Sequence, residues 1–219
     1  LKIQDLENPK YSDFDQDMYE MLLGEAARLA QDTLGPINQS GDEEGCHWED
    51  GSVTTPAGYK EAYTRYCEGG WQGMSMDAEI GGGGLPRSVA LAVVEMFTGA
   101  CPAFSMYPGL TVAVANLLAD MGSDWMKSTV LPKLVTGEWS GTMCLTEPQA
   151  GSAVGDVRCV ARRSGDSYLI EGSKIFISSG DHDLTPNIIH IMLARTPEAV
   201  PGIKGLSLFL VPKYRINPD

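Results

Sequence analysis

The sequence predicts an α+β protein: an N-terminal all-α bundle over residues 1–138, then an incomplete antiparallel β-domain over 139–219. Three observations lead there. Up to residue 136 the apolar residues recur at helical spacing. After Gly137 they fall into short β-branched runs punctuated by Gly and Pro. The two patterns are segregated along the chain, which argues against alternating βαβ units. A chain of 219 residues, 43% hydrophobic and 21% charged, buries enough surface to fold without disulfides or a metal.

The first element is an amphipathic helix over 12–34. Phe14, Met18, Met21, Leu22, Ala26 and Leu29 share one face, Ser12 or Asp13 serves as N-cap, and Gly35-Pro36 is the stop. The polar, acidic stretch Ile37–Val53 reads as a loop. Thr55 as cap and Pro56 in the first turn open a second helix, which ends at Gly69-Gly70. Its stripe of Tyr59, Ala62, Tyr63, Tyr66 and Cys67 reads as packing. A glycine-dense connection from Trp71 to Pro86 carries Gly81-Gly82-Gly83-Gly84, which lacks the register of a dinucleotide fingerprint and reads as a tight turn or mobile loop. Helices over 87–100 and 103–121 follow, with Leu110–Leu118 apolar nearly all round and so expected to be buried on most sides. A further helix spans 123–136. Strand-like runs then lie at Val154–Arg163, Tyr168–Glu171, Lys174–Ser178, Ile188–Arg195 and Gly205–Val211.

Sixteen basic against 29 acidic residues give a formal charge of −13, with three basic and thirteen acidic residues in positions 1–50. That excess argues against nucleic acid or an anionic membrane as the main partner. No stretch approaches ~20 consecutive apolar residues, so no membrane span is read. The five cysteines are widely spaced without C-x-x-C, the pattern of reduced thiols in a cytoplasm-like compartment. Cys46-His47 with Asp50 has metal-like residue types but no second pair of ligands. His182, between Asp181 and Asp183, reads as a solvated loop histidine, with useful titration as the alternative. The absent initiator Met and a sheet that stops near Asn217-Pro218-Asp219 read as a piece of a longer protein with an uncovered sheet edge.

One segment stands apart, Met143-Cys144-Leu145-Thr146-Glu147-Pro148-Gln149-Ala150-Gly151-Ser152. It leaves a strand into a Pro-Gly loop with two hydroxyls and a carboxylate, where backbone N–H groups beside Gly151 and Ser152 can approach a phosphate; composition alone reads it equally well as a turn. The stretch resembles the flavin-binding signature L-T-E-P-x-A-G-S-D of acyl-CoA dehydrogenases. Gly172-Ser173-Lys174-Ile175-Phe176-Ile177-Ser178-Ser179-Gly180 resembles the family's G-x-K-x-[WF]-I-[TS]-x-G strand and turn. Leu206–Pro212 and the loop Glu79–Pro86 resemble two further family segments, so the likeness runs in order across residues 71–212. Gly45-Cys46-His47-Trp48, Val53-Thr54-Thr55-Pro56 and Ser179–Thr185 are similar to the large bacterial branch that includes 3-methylmercaptopropionyl-CoA dehydrogenases.

The resemblance implies FAD as cofactor and oxidation of an acyl-CoA thioester to the trans-2-enoyl-CoA, in a bacterial cytoplasm. Met143, Leu145 and Thr146 would line the flavin, Ser152 would reach the FAD phosphates and the pantetheine arm of the substrate, Phe176 would lie against the ring, and Ile177 and Ser178 would sit beside N5. It implies an electron-transfer flavoprotein or similar acceptor, and a homodimer or tetramer in the parent protein. Ala153 stands where the family usually has Asp. The family's base is a Glu of a C-terminal helical domain with no counterpart here, and Glu147 belongs to the flavin motif. The fragment alone is therefore expected to be inactive, to hold flavin weakly, and to self-associate through exposed helix faces. A scaffold that keeps the fold without the chemistry, and an acyl-CoA oxidase, are the competing readings.

Overall fold

The computed structural model describes residues 8–216; the opening and closing residues discussed above lie outside that range. The helices are α1 (Gln16–Leu29), α2 (Pro36–Glu44), α3 (Tyr59–Glu68), α4 (Arg87–Ala100), α5 (Pro102–Met121) and α6 (Leu131–Thr136). The strands are β1 (His47–Glu49), β2 (Ser52–Thr54), β3 (Ser140–Cys144), β4 (Val160–Ser164), β5 (Ser167–Glu171), β6 (Ile188–Ala194) and β7 (Ser207–Pro212). Helices precede strands, as the pattern predicts, except that the β1–β2 hairpin interrupts the helical part.

Asp15, not Ser12 or Asp13, caps α1: its carboxylate accepts from the Met18 N–H at 2.8 Å. Gly35-Pro36 is not a stop. The chain widens into a π turn over Ala30–Leu34, where Gly35 N–H reaches the Ala30 carbonyl, and Pro36 then opens α2. A second π turn, Met126–Val130, precedes Pro132 in the same way. A proline within a helical run lacks an N–H and crowds the carbonyl four residues back; one widened turn relieves both problems and keeps the helix going. The segment 37–53 is consequently α2 and a hairpin instead of a loop. Helix α3 begins at Tyr59 behind a left-handed Gly58, and Thr55 bonds elsewhere.

The aromatic stripe of α3 packs, as read: Tyr59, Tyr63 and Tyr66 are buried, and Tyr66 meets Phe97 and Phe104 edge-on with ring centroids 5.7 and 5.9 Å apart. The glycine connection is an anchored turn. Gly83 N–H bonds Gly73 O at 3.0 Å, Gly84 N–H bonds Met76 O at 2.9 Å and Leu85 N–H bonds Met74 O at 2.9 Å. Helix α5 has the length and hydropathy of a membrane span, but it packs against α4, α6 and β3. Only one face of its Leu110–Leu118 run is buried, through Thr111, Val114, Ala115 and Leu118, so the expectation of burial on most sides fails. Leu91 and Val94 of α4 and Met106 of α5 remain exposed.

The main sheet has the order β3-β6-β7, and its β3–β6 pair is parallel, so the β-domain is mixed and not purely antiparallel. Gly141, Met143, Ile189 and Ile191 face the helices; a Cβ on Gly141 would lie 2.8 Å from Val114, which shows how closely α5 lies on β3. Strands β4 and β5 form a separate hairpin. Two segments read as strand are otherwise. Residues 154–159 form a short 3-10 turn and coil before β4. Lys174–Ser178 belongs to an irregular strap, residues 172–187, that crosses the exit of β3 without pairing along it.

Candidate functional site

Strand β3 ends at Cys144, and the next two residues deliver the Leu145 and Thr146 side chains, both half-buried. Their carbonyls hold the strap: Lys174 Nζ donates to Leu145 O at 3.0 Å, and Ile175 N–H donates to Thr146 O at 2.9 Å. Farther along, the Thr142 hydroxyl donates to Ser178 O at 2.7 Å. Leu145 and Thr146 are thereby brought beside Ile175–Ser178. Among the described residues the Thr146 hydroxyl makes no hydrogen bond to protein. Met143 is the exception within the group, since its side chain packs on the other sheet face, toward α5.

Phe176 is the conspicuous member. Its φ is 56°, in the left-handed region that bulky side chains avoid, and it is 88% exposed. Ser179 has φ 54°, Gly180 N–H closes a turn onto Ile177 O at 3.0 Å, and Ser178 is exposed at its head. Strained backbone that presents an aromatic ring to solvent persists only where surrounding bonds over-determine it.

Glu147 is 3% exposed and wholly employed. It accepts from Arg158 N–H at 2.7 Å, Cys159 N–H at 3.0 Å, Lys174 Nζ at 2.8 Å and Gln149 Nε2 at 2.7 Å. Burial by itself raises its pKa, but the hydrogen bonds centred on Cys159, Lys174 and Arg158 outweigh burial and bring it down to about 2. This is a fixed structural anion. Beyond it, exposed Ser152 sits on the rim of an open cleft of about 610 Å³ that also includes Gly155, Arg158, Arg195 and Gly202. The Arg195 guanidinium donates to the carbonyls of Val157, Val200, Gly202 and Gly155, tying the two lips of the cleft together.

Three residues that hold this site escaped the sequence reading as functional: Lys174, Thr142 and His182. A carboxylate inside a Pro-Gly loop needs a buried cation, and Lys174 in the neighbouring motif was the signal available. His182 is buried, contrary to its reading as a solvated loop residue. Cys46 and His47 do not converge: the Cys46 thiol lies 3.7 Å from the Tyr107 hydroxyl, and His47 Nε2 lies 3.4 Å from Glu44. All five cysteines are free thiols.

The helical unit and the sheet on which its last long helix lies coincide with two successive domains of one dehydrogenase family. Residues 16–138 match the acyl-CoA dehydrogenase N-terminal domain and residues 142–217 match the acyl-CoA dehydrogenase middle domain. The chain belongs to the acyl-CoA dehydrogenase family. A 3-methylmercaptopropionyl-CoA dehydrogenase of Ruegeria pomeroyi is 47% identical over 204 residues, covering 93% of this chain and 35% of that protein. A broad-specificity linear acyl-CoA dehydrogenase of Mycobacterium tuberculosis is 39% identical over 217 residues, 96% of this chain and 35% of its own length. The chain thus spans about a third of these curated relatives. Among solved structures, an acyl-CoA dehydrogenase of Geobacillus kaustophilus shares the fold with a TM-score of 0.75 at 23% identity, over 91% of this chain and 49% of that one. The FAD complex of PigA shares it with a TM-score of 0.71 at 22% identity, over 91% and 49% of the two chains.

Proposed function

We propose that this chain forms the helical floor and flavin-facing wall of an FAD-dependent acyl-CoA dehydrogenase that converts an acyl-CoA thioester to the trans-2-enoyl-CoA. The observation that carries the reading is Phe176, held in a left-handed conformation with its ring exposed beside the exit of β3. The residues present fit a flavin. An exposed aromatic face, a free Thr146 hydroxyl and a Gly-Ser turn on an open cleft are the parts that a planar heterocycle with a diphosphate tail requires.

FAD, when bound, would supply a hydride acceptor for the β-hydrogen of the substrate. In this reading Phe176 would hold the ring, with Leu145, Thr146, Ile177 and Ser178 as its neighbours. Ser152 and the backbone beside Gly151 hold the phosphates and the pantetheine arm. Met143 acts from beneath, as packing between β3 and α5. Glu147 does not take the α-proton: its oxygens are occupied and it stays ionised through its bonds to Lys174 and the Arg158 and Cys159 N–H groups. A carboxylate from outside this chain would be the base, and an electron-transfer flavoprotein would be the electron acceptor. Exposed Leu91, Val94 and Met106 support a homo-oligomer of the parent protein.

Titration of FAD into the parent protein, followed by quenching of flavin fluorescence, tests the reading. Phe176→Ala is expected to weaken FAD roughly tenfold. Unchanged affinity, or no binding by the parent, would overturn it. The chain alone, assayed with acyl-CoA, FAD and a dye acceptor, is expected to give no turnover.

A further inference from the structure

The strap 172–187 lies between β5 and β6 and has no strand or helix of its own, yet it carries both left-handed non-glycine residues of the candidate site. Something other than a backbone ladder must hold it. Lys174 and Thr142 secure its first half. Its second half is secured by the Asp181-His182-Asp183 run.

His182 is 2% exposed. Its Nδ1 accepts from Leu184 N–H at 3.2 Å, which places the proton of the neutral ring on Nε2, 3.0 Å from Ser140 Oγ. The chain continues in one direction, with Ser140 Oγ 3.0 Å from Thr185 Oγ1 and Thr185 Oγ1 donating to Asn187 O at 2.9 Å. The Tyr107 ring of α5 meets the imidazole edge-on, with centroids 5.1 Å apart. Asp183 accepts from both the N–H and the hydroxyl of Thr55, at 3.0 and 2.8 Å, and pairs with Lys60 of α3 at 2.7 Å. Leu184 packs against the helical core. Asp181 pairs with Lys213 just beyond β7. Four residues separate Phe176 from Asp181, and the Ile177–Gly180 turn between them is closed by its own hydrogen bond, so displacement at one end reaches the other.

We propose that His182 and Asp183 are positioning residues for the cofactor: by latching the strap to Ser140, Thr55, Lys60 and Tyr107, they fix the Ser178 turn and Phe176, so that the helical half of the protein sets flavin affinity. The inference rests on the flavin reading above but concerns residues that touch no flavin.

The test uses Asp183→Ala and the milder pair Thr55→Val and Thr55→Ser. Hydrogen exchange of backbone amides 175–181 is measured in the chain itself, without flavin, and FAD affinity in the parent protein. Asp183→Ala is expected to speed exchange locally and to weaken FAD about tenfold, as loss of a supporting contact does. Thr55→Val should move both readouts in the same direction, and Thr55→Ser should restore both, while exchange in α4 and α5 stays at the value of the unsubstituted chain. Exchange in 175–181 at parent rates, FAD affinity within about twofold of the parent, or loosening spread equally over α4 and α5 would overturn the proposal; the last would mark a bond of general stability. Failure of the parent to bind FAD would sink the functional reading itself. Binding that ignores the latch would sink only this inference.

Discussion

Two long connections without a strand or an α-helix, residues 71–86 and 172–187, are built by opposite means. The first is zipped by its own backbone: Gly73, Met74, Met76 and Asp77 supply carbonyls to the N–H groups of Gly82 to Leu85, and Gly82 and Gly83 lie where the two sides of the loop nearly touch. The second has almost no such bonds and hangs on individual side chains, Lys174, Thr142, His182, Asp183 and Thr185. The difference teaches where each is vulnerable. The glycine loop is sensitive to an added methyl at Gly82 and Gly83, and its Asp77–Lys10 ion pair lies exposed at the surface. The strap is sensitive to the identity and protonation of a few residues, which suits a segment that presents a strained aromatic.

The comparison breaks most visibly at Glu147. Glu147→Gln leaves Lys174 buried without its counter-ion and is expected to cost about 4 kcal/mol in urea unfolding, and to free the strap. Gly82→Ala is the matching lesion on the other side: its Cβ would run into the Met76 carbonyl, at a cost of about 3 kcal/mol. Gly84, half-buried at φ 66° but with open space where a Cβ would go, should cost only about 1 kcal/mol when changed to Ala, from strain alone.

Acid should find the strap and not the glycine loop. Burial brings the His182 pKa down from 6.5 to about 4, with Asp181 and Asp183 favouring its charge and Lys213 and His190 opposing it. Its folded pKa lies below the unfolded one, so stability is full above about pH 6.5 and falls as the pH drops toward 4. The loss is roughly 2 to 3 kcal/mol. Glu147 adds a second stage, because its contribution is present above its ordinary value of 4.5 and is lost as the pH falls toward 2. Chemical denaturation at stepped pH checks both stages; in His182→Gln the upper one should vanish. The smallest effect sharpens the contrast most. Phe176→Gly removes left-handed strain and should stabilise the fold by roughly 0.5 to 1 kcal/mol while weakening FAD.

Much of this was legible in the sequence. Helices α4 and α5 and strands β6 and β7 follow from their apolar runs, and β5 from its aromatic and apolar residues between two turns, although only Ile170 of β5 is even half-buried. The errors have local causes. Pro36 reads equally as a stop and as a first-turn residue, and only the π turn before it decides. Lys174–Ser178 has strand composition, but its hydrogen bonds go to the end of β3 and its Phe176 turns left-handed, which no alternation pattern reveals. The residues at 145–146 and 176–178, singled out by motif, are joined through the Ile175–Thr146 and Thr142–Ser178 hydrogen bonds. What supports them was not named, because Thr55 and Asp183 are separated by most of the chain and meet only after α3 and the strap are both in place.

The parallel pairing of β3 with β6 carries a consequence for synthesis. A nascent chain that has just emerged as far as Cys144 has no partner for β3 until Ile188–Ala194 follows, so the sheet is a high contact-order structure that closes late. Until then Val114, Ala115 and Leu118 of α5 lack the Ile189 and Ile191 side chains that complete their apolar cluster. A pause during translation between these two strands is therefore where a chaperone would have most to hold.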